Sequence, residues 1–267
     1  MRVSASERFL NYAILVVFAA YALAPVVTIL VSALSPRNGV VGGIHPENFA
    51  AAWQIGGFGS SLLNSLIVAV IVVVVAVAAS VLSGYAFGTM RFPGSTALFL
   101  LFLVGLMIPA EATVLPLFFD LRALHLTDTY VAIALPQIAQ SIAFGTFWLR
   151  AQFRSLPASL IEAAALDGAG PVRTLTRIVL PASLPAVTTL VVLVLMWTWN
   201  EFLIALVMAP GGGLRTAPLG LANFQGQYTS EQSLLAAGAV IVALPMVIMF
   251  LFLQRHVIRG MLEGAAR

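Results

Sequence analysis

The sequence contains neither cysteine nor lysine. Without cysteine there are no disulfides and no thiolate-ligated zinc or iron–sulfur centres. Without lysine there is no nucleotide-binding loop of the GxxxxGK[ST] kind, whose Lys reaches the phosphates, and no Schiff-base chemistry. If ATP powers this protein, another chain binds it. Charge of either sign is scarce: 9% of the residues are charged, against roughly 25% in an ordinary soluble domain. The three histidines, His45, His125 and His256, lie far apart and in no metal-type spacing, so polar loop positions are their simpler reading.

Apolar residues, by contrast, make up 61% of the 267 positions, and the mean hydropathy is +1.03. One soluble core could not keep that much apolar surface from water, so the solvent is largely lipid. Six apolar stretches are long enough to cross a hydrocarbon core, which takes about 20 helical residues. They cover 9–34, 62–87, 97–119, 130–149, 184–208 and 234–253. A lipid-embedded segment must satisfy its own backbone hydrogen bonds, so each reads as a helix. The β-branched run at 67–75 would suggest a strand in water, but its length and apolar flanks make it helical here.

The first stretch has features of a secretory leader: Arg2 and Arg8 precede it, and Ala22-Leu23-Ala24 resembles a cleavage site. Pro25 would follow the cut directly and the apolar run continues past it, so the reading is a retained helix. With the N-terminus inside, ten arginines fall on inner segments and three, Arg37, Arg122 and Arg215, on outer loops. This obeys the positive-inside rule, and an even number of spans places both termini in the cytoplasm. The expectation is an all-α membrane protein of about six transmembrane helices, forming one domain over 1–267.

The inner loop at 150–183 carries the most specific pattern. It reads Glu162-Ala163-Ala164-Ala165-Leu166-Asp167-Gly168, then nine residues, then Ile178-Val179-Leu180-Pro181. Pro157 suits a first helical turn, where its missing N–H costs nothing. A short helix over 158–166 follows. Gly168 and Gly170 end it, because glycine tolerates the left-handed cap, and Pro171 opens a second helix. The alanine-rich centre makes a slim rod that allows close backbone approach by another protein. Taken alone, the first half also fits an ordinary amphipathic interfacial helix.

This pattern resembles the EAA signature of ABC importer permeases, E-A-A-x-x-x-G followed at fixed spacing by I-x-L-P. The resemblance extends over nearly the whole chain and is strongest to the shorter permease of the maltose-type carbohydrate pair. Further stretches that carry it are Asn64-Ser65-Leu66, Gly84-Tyr85-Ala86-Phe87, Arg91-Phe92-Pro93-Gly94 and Trp199-Asn200-Glu201-Phe202. In the last outer loop they are Leu214-Arg215-Thr216, Gly220-Leu221 and Phe224-Gln225-Gly226-Gln227-Tyr228. Gln254-Arg255 and Arg259-Gly260 also resemble the family's tail; the final Gly264-Ala265-Ala266-Arg267 departs from it.

The resemblance implies a cytoplasmic coupling helix between spans four and five, docked in a cleft of a separate ATPase. Glu162, Ala163, Ala164, Asp167, Gly168, Ile178, Leu180 and Pro181 would form that coupling element. It also implies a second, different permease, two ATPase subunits that hold the ATP and magnesium, and an extracytoplasmic solute-binding protein. The cargo would be a sugar or sugar-like solute, and the location the bacterial cytoplasmic (inner) membrane. Binding-protein contacts would fall on Arg215, Phe224, Gln225, Gln227 and Tyr228. Nothing points to nucleic acid, and this chain performs no covalent chemistry.

Charged residues within apolar spans are costly and face protein or a watery path. Glu111 follows Pro109, and a kink there could carry it to the outer interface. Asn64, Trp197, Trp199, Asn200 and Glu201 are candidates for the transport pathway: aromatic faces stack on sugar rings, and amides and carboxylates bind hydroxyls. The competing reading packs the 197–201 cluster against a partner permease. Two other classes stand against the importer. An ion-coupled secondary transporter would use Glu111 or Glu201 as its ion site, but no internal repeat is visible and the 162–181 pattern is left unexplained. A membrane-embedded enzyme lacks a metal-type His/Asp spacing and a Ser/His/Asp set near one membrane face.

Overall fold

A computed structural model describes residues 5–37, 42–224 and 231–265, with side chains to residue 252 in the last helix. Among the described residues every regular element is helical. Four helices are long and apolar enough to cross a membrane: Ser6–Ala33, Phe58–Thr89, Tyr130–Arg154 and Gln232–Phe252. Two bent pairs bring the crossings to six if each counts as one. The polypeptide divides into two compact units, Met1–Gly59 with Gly220–Pro245, and Ser60–Leu219 with Met246–Arg267.

In the first unit, α1 (Ala5–Ala33) runs unbroken through Ala22–Pro25. Its sides are exposed from Phe9 to Val31, which suits lipid and not water. α2 (Glu47–Ile55) is tied to the end of α1 by Asn48, which is fully buried. Its amide nitrogen donates to the Ala33 and Ser35 carbonyls, each at 2.9 Å, and its oxygen accepts from Arg37 Nε at 2.9 Å. A buried amide needs this degree of satisfaction, since an unpaired one costs about 1–3 kcal/mol. Phe58 and Phe224 form the unit's aromatic core, their centroids 6.2 Å apart.

The second unit is built on α3 (Phe58–Thr89) and α6 (Tyr130–Arg154). Small residues at i, i+4 and i+8 on α3, namely Ser80, Gly84 and Gly88, let the two backbones approach closely. A β-carbon at Gly84 would lie 2.8 Å from Leu149 Cβ, and one at Gly88 3.2 Å from Phe153 Cβ. The Ser83 and Thr146 hydroxyls share a 2.6 Å hydrogen bond across the seam. Val68, Val72 and Ala76 of α3 pack with Ile133, Leu149 and Phe153 of α6 to form the core. At the end of α6, Arg150 Nε donates to the Phe87 carbonyl at 3.3 Å, and the guanidinium lies 3.7 Å above the Phe99 ring.

The stretch at 97–119 is not one straight helix. α4 (Ser95–Met107) and α5 (Ala110–Ala123) meet at 96°. Pro109 supplies no N–H, and a residue preceding proline is pushed out of the helical region; Ile108 is accordingly extended, at ψ 121°. The stretch at 184–208 is also interrupted. α10 (Leu184–Asn200) stops at an extended Glu201, and α11 (Leu203–Met208) starts afresh.

Candidate functional site

Between α6 and α10 lies the segment that holds the Glu162–Pro181 pattern. α7 (Ala158–Leu166) starts after Pro157 and ends at Asp167. Gly168 follows in the left-handed region, at φ +73°. The Gly168 N–H donates to the Ala165 carbonyl at 3.1 Å and the Ala169 N–H to the Ala164 carbonyl at 2.9 Å. These are the paired bonds of a Schellman cap. Gly170, expected to share the left-handed role, is instead extended at φ −70°, because it caps the helix that Pro171 opens.

α7 turns one side inward and the other out. Ala164 is buried and Ile161 packs on the core. Glu162, Ala163, Asp167 and Gly168 are exposed. Two large apolar side chains project beside them, Leu166 at 89% exposure and Val172 at 75%. The rod therefore offers a slim surface with apolar flanks.

The second half of the pattern forms a continuous helix of mixed pitch: α8 (Pro171–Thr174), a π-helical turn (Leu175–Val179) and α9 (Leu180–Ala182). π turns are rare and are frequent at functional sites. Ile178 is part-exposed, Leu180 packs on the core and Pro181 faces outward. At Ser183 the chain turns through 81° into α10. The Ser183 hydroxyl is buried at that elbow without a hydrogen-bond partner.

At its other end α10 lines a cleft of about 670 Å³. Both helix breaks open onto it: Ile108–Pro109–Ala110 with Glu111 on one side, Asn200–Glu201 on the other. From α6 it receives Gln137, Gln140, Ser141 and Phe144, and from α10 Met196, Trp197 and Thr198. Glu201 Oε1 accepts the Ile204 N–H at 2.8 Å, which caps α11 and explains the restart. Asn200 donates to the Met196 carbonyl at 2.8 Å. Trp197, half exposed, meets Phe144 edge-on at 4.9 Å between centroids. The cleft thus combines an aromatic wall with amides, hydroxyls and two carboxylates, the lining expected of a site for a polyhydroxylated solute.

The sequence-derived pathway set is only partly brought together. Trp197, Asn200 and Glu201 line the cleft; Trp199 and Asn64 do not. Trp199 is buried, 5% exposed, because it falls on the opposite side of α10 from Trp197. Asn64 is a structural clasp: its amide donates to the Arg215 carbonyl at 3.0 Å and accepts from the Tyr130 hydroxyl at 2.7 Å. Next to it, Ser65 Oγ accepts the Ala217 N–H at 2.8 Å. Gln137, Gln140 and Ser141 were missed in the sequence. With Phe144 they fall at i, i+3, i+4 and i+7, a polar stripe on one face of an apolar span, and that spacing was the available signal.

Of the residues assigned to binding-protein contact, Arg215 is exposed. Phe224 is not: it is buried at 3% against Phe58, since an aromatic side chain there completes the first unit's core. Gln225, Gln227 and Tyr228 lie outside the described residues. Asp128 fixes the start of this loop, its carboxylate accepting the Gly211 N–H at 2.8 Å. No group of three histidines and acidic residues able to hold a metal occurs among the described residues.

Residues 80–263 match the family described as binding-protein-dependent transport system inner membrane component. The chain is 36% identical over 223 residues to a probable ABC transporter permease protein, YurM, of Bacillus subtilis, covering 84% of this chain and 74% of that one. It is 31% identical over 255 residues to the trehalose transport system permease protein SugB of Mycobacterium tuberculosis, covering 92% and 93%. The fold matches a chain of a bacterial ABC transporter involved in import of the acidic polysaccharide alginate, with a TM-score of 0.77 over 96% of this chain and 99% of that one, at 22% identity.

Proposed function

The chain belongs to the binding-protein-dependent transport system inner membrane components, and from that premise we propose that it is the permease subunit through which an ABC importer moves a sugar or sugar-like solute across the cytoplasmic membrane. It is a transport component, not an enzyme. Transport relatives named for trehalose favour a carbohydrate cargo, and the aromatic and amide lining of the cleft suits one. In this reading α7 lies on the cytoplasmic face and enters a groove of an ATPase subunit, with Ala163, Leu166 and Gly168 at the contact. The ATP and its magnesium belong to that ATPase. A second permease completes the path, and an extracytoplasmic binding protein delivers cargo to the outer loops, Arg215 among the contacts.

One observation carries the reading. An unbroken succession of elements joins the exposed rod to the cleft: α7, the Schellman turn at Gly168, the π-containing helix, the 81° elbow at Ser183, and α10. A push on Leu166 or Ala163 is passed along helices, which do not compress, to Trp197, Asn200 and Glu201. Closure of paired ATPases would move α10 and so reshape the cleft. Glu162 and Asp167, both exposed, would supply polar contacts to the ATPase beside the rod.

Gentle extraction of the tagged chain from its native membranes, with mass spectrometry of what co-purifies, tests the assembly. The expected result is a P-loop ATPase, a second multi-span permease and a soluble binding protein, whose ligand then names the cargo. Recovery of the chain alone, or as a homodimer without an ATPase, would refute the reading and turn attention to ion-driven transport through Glu111 and Glu201.

A further inference from the structure

The charges around the cleft are all of one sign. Thirteen arginines are spread over the chain, yet among the described residues none lines this cavity, and neither does a histidine. Its charged members are Glu111 and Glu201. They come from different elements: Glu111 from the first turn of α5, just after the Pro109 break, and Glu201 from the break that ends α10. Glu201 is held in place by the Ile204 N–H. The remaining polar groups, Gln140 and Asn200 among them, are neutral amides and hydroxyls that bind sugar hydroxyls without regard to charge.

Like-signed carboxylates on the wall of one cleft set the sign of the potential inside it, and the effect weakens as salt is added. Glu111 is exposed and Glu201 part-buried, and because both line one concave surface with apolar walls their fields add there instead of dispersing over an open surface. A solute carrying its own carboxylates meets repulsion there, and no cationic side chain among the described residues that line the cleft offsets it. A neutral solute meets none, and a cationic one is attracted.

We infer that Glu111 and Glu201 are specificity-determining residues that bar sugar acids and other anionic solutes from the cleft and admit neutral or cationic polyhydroxylated ones. This rests on the reading that the cleft lies on the transport path. The selectivity belongs to the permease itself and acts after, and independently of, any selection by a binding protein.

Because the chain has no cysteine, one introduced thiol reports on the cleft. Gln140→Cys, in the complete assembly in membrane vesicles, is treated with three methanethiosulfonates built on the same ethyl arm: a trimethylammonium, a sulfonate and an uncharged hydroxyethyl reagent. Labelling is read as the mass shift of this chain alone. The expected ratio of cationic to anionic rates is about tenfold or more above that of free 2-mercaptoethanol. It should fall to the free-thiol value when E111Q and E201Q are added. A ratio equal to the free thiol's in the parent overturns the selectivity while leaving the path intact, provided the uncharged reagent reacts. If the uncharged reagent reaches neither Gln140→Cys nor Ser141→Cys, the cleft is not aqueous, and both the path and the selectivity are refuted.

Discussion

Gly145 of α6 lies directly against Ser80 of α3, so close that a β-carbon on the glycine would overlap the serine hydroxyl and come within 2.7 Å of its β-carbon. The same β-carbon would sit 3.1 Å from a Leu190 methyl of α10. Three helices therefore meet at one missing side chain. Gly145→Ala should cost about 1–3 kcal/mol through overpacking, and Gly145→Val should prevent the stable fold. Thermal unfolding in detergent checks the first, and the second helix restores the balance: Ser80→Gly added to Gly145→Ala should recover most of the loss. An unchanged melting temperature for Gly145→Ala alone would show that the helices are not in this contact.

Asn64 provides a second test, because its two hydrogen bonds join parts of the chain far apart in sequence. Replacing it with leucine leaves the Tyr130 hydroxyl and the Arg215 carbonyl without their partner, a loss of about 1–3 kcal/mol if neither reaches water. The expected effect is local. Amide exchange should speed up over 214–217 and around Tyr130, while labelling of Gln140→Cys in the cleft stays as it was. Reduced cleft labelling with unchanged exchange would return Asn64 to the transport path.

The spans were legible because length and hydropathy are additive along a chain. The glycine at 168 was legible too, since a left-handed cap leaves a local signature. Partners distant in sequence leave none. Asn64 looks like a pathway polar residue until Arg215, 151 positions later, is found against it. The break at Pro109 is announced by its proline, whereas the break at Glu201 has neither proline nor glycine and depends on a carboxylate that caps a helix three residues on. The side to which Trp199 turns follows from the helical pitch relative to Trp197, but which side is core depends on what α10 packs against.

Gly168 separates backbone strain from surface chemistry. No atom lies within 4 Å of where its β-carbon would be, so a small side chain meets no clash, only the unfavourable φ of +73°. Alanine costs roughly 1–2 kcal/mol there, and asparagine less, as it tolerates the left-handed region. Gly168→Asn should therefore retain most ATP-driven uptake and Gly168→Ala somewhat less. Gly168→Asp places a charge beside Leu166 on the surface proposed to dock, and should abolish uptake while the chain still inserts and assembles in the membrane. Normal uptake by Gly168→Asp would remove this turn from the coupling path.

Outside the apolar spans, His45 and Glu47 form an ion pair at 2.6 Å, with the other ring nitrogen 3.1 Å from the Gly42 carbonyl. The Glu47 carboxylate raises the His45 pKa above its usual 6.5, and the His45 ring holds Glu47 below its usual 4.5. The histidine's contribution is complete below pH 6.5 and fades as pH rises through its raised value. The glutamate's is complete above pH 4.5 and fades as pH falls through its lowered value. Both are fully present between those two ordinary values. In Glu47→Gln the His45 titration, followed by NMR of the ring protons, should move to lower pH. A midpoint that does not move would mean the pair does not form in solution.

Trp197 and Trp199 are two residues apart and should fail in opposite ways. Trp197 is 49% exposed and contributes an edge-on contact with Phe144, worth about 0.5–1.5 kcal/mol. Its replacement by alanine costs little stability but strips the cleft's aromatic wall. Trp199 is 5% exposed, and truncating a buried tryptophan costs about 3–5 kcal/mol. Trp197→Ala should melt near the parent temperature yet lose most cargo-stimulated ATP hydrolysis in the assembled transporter. Trp199→Ala should be recovered poorly and melt early, while Trp199→Phe, which refills much of the volume, should regain both stability and stimulation. If Trp197→Ala keeps full stimulation across a panel of neutral sugars, the aromatic wall does not touch cargo, and the contact with sugar belongs to the partner permease.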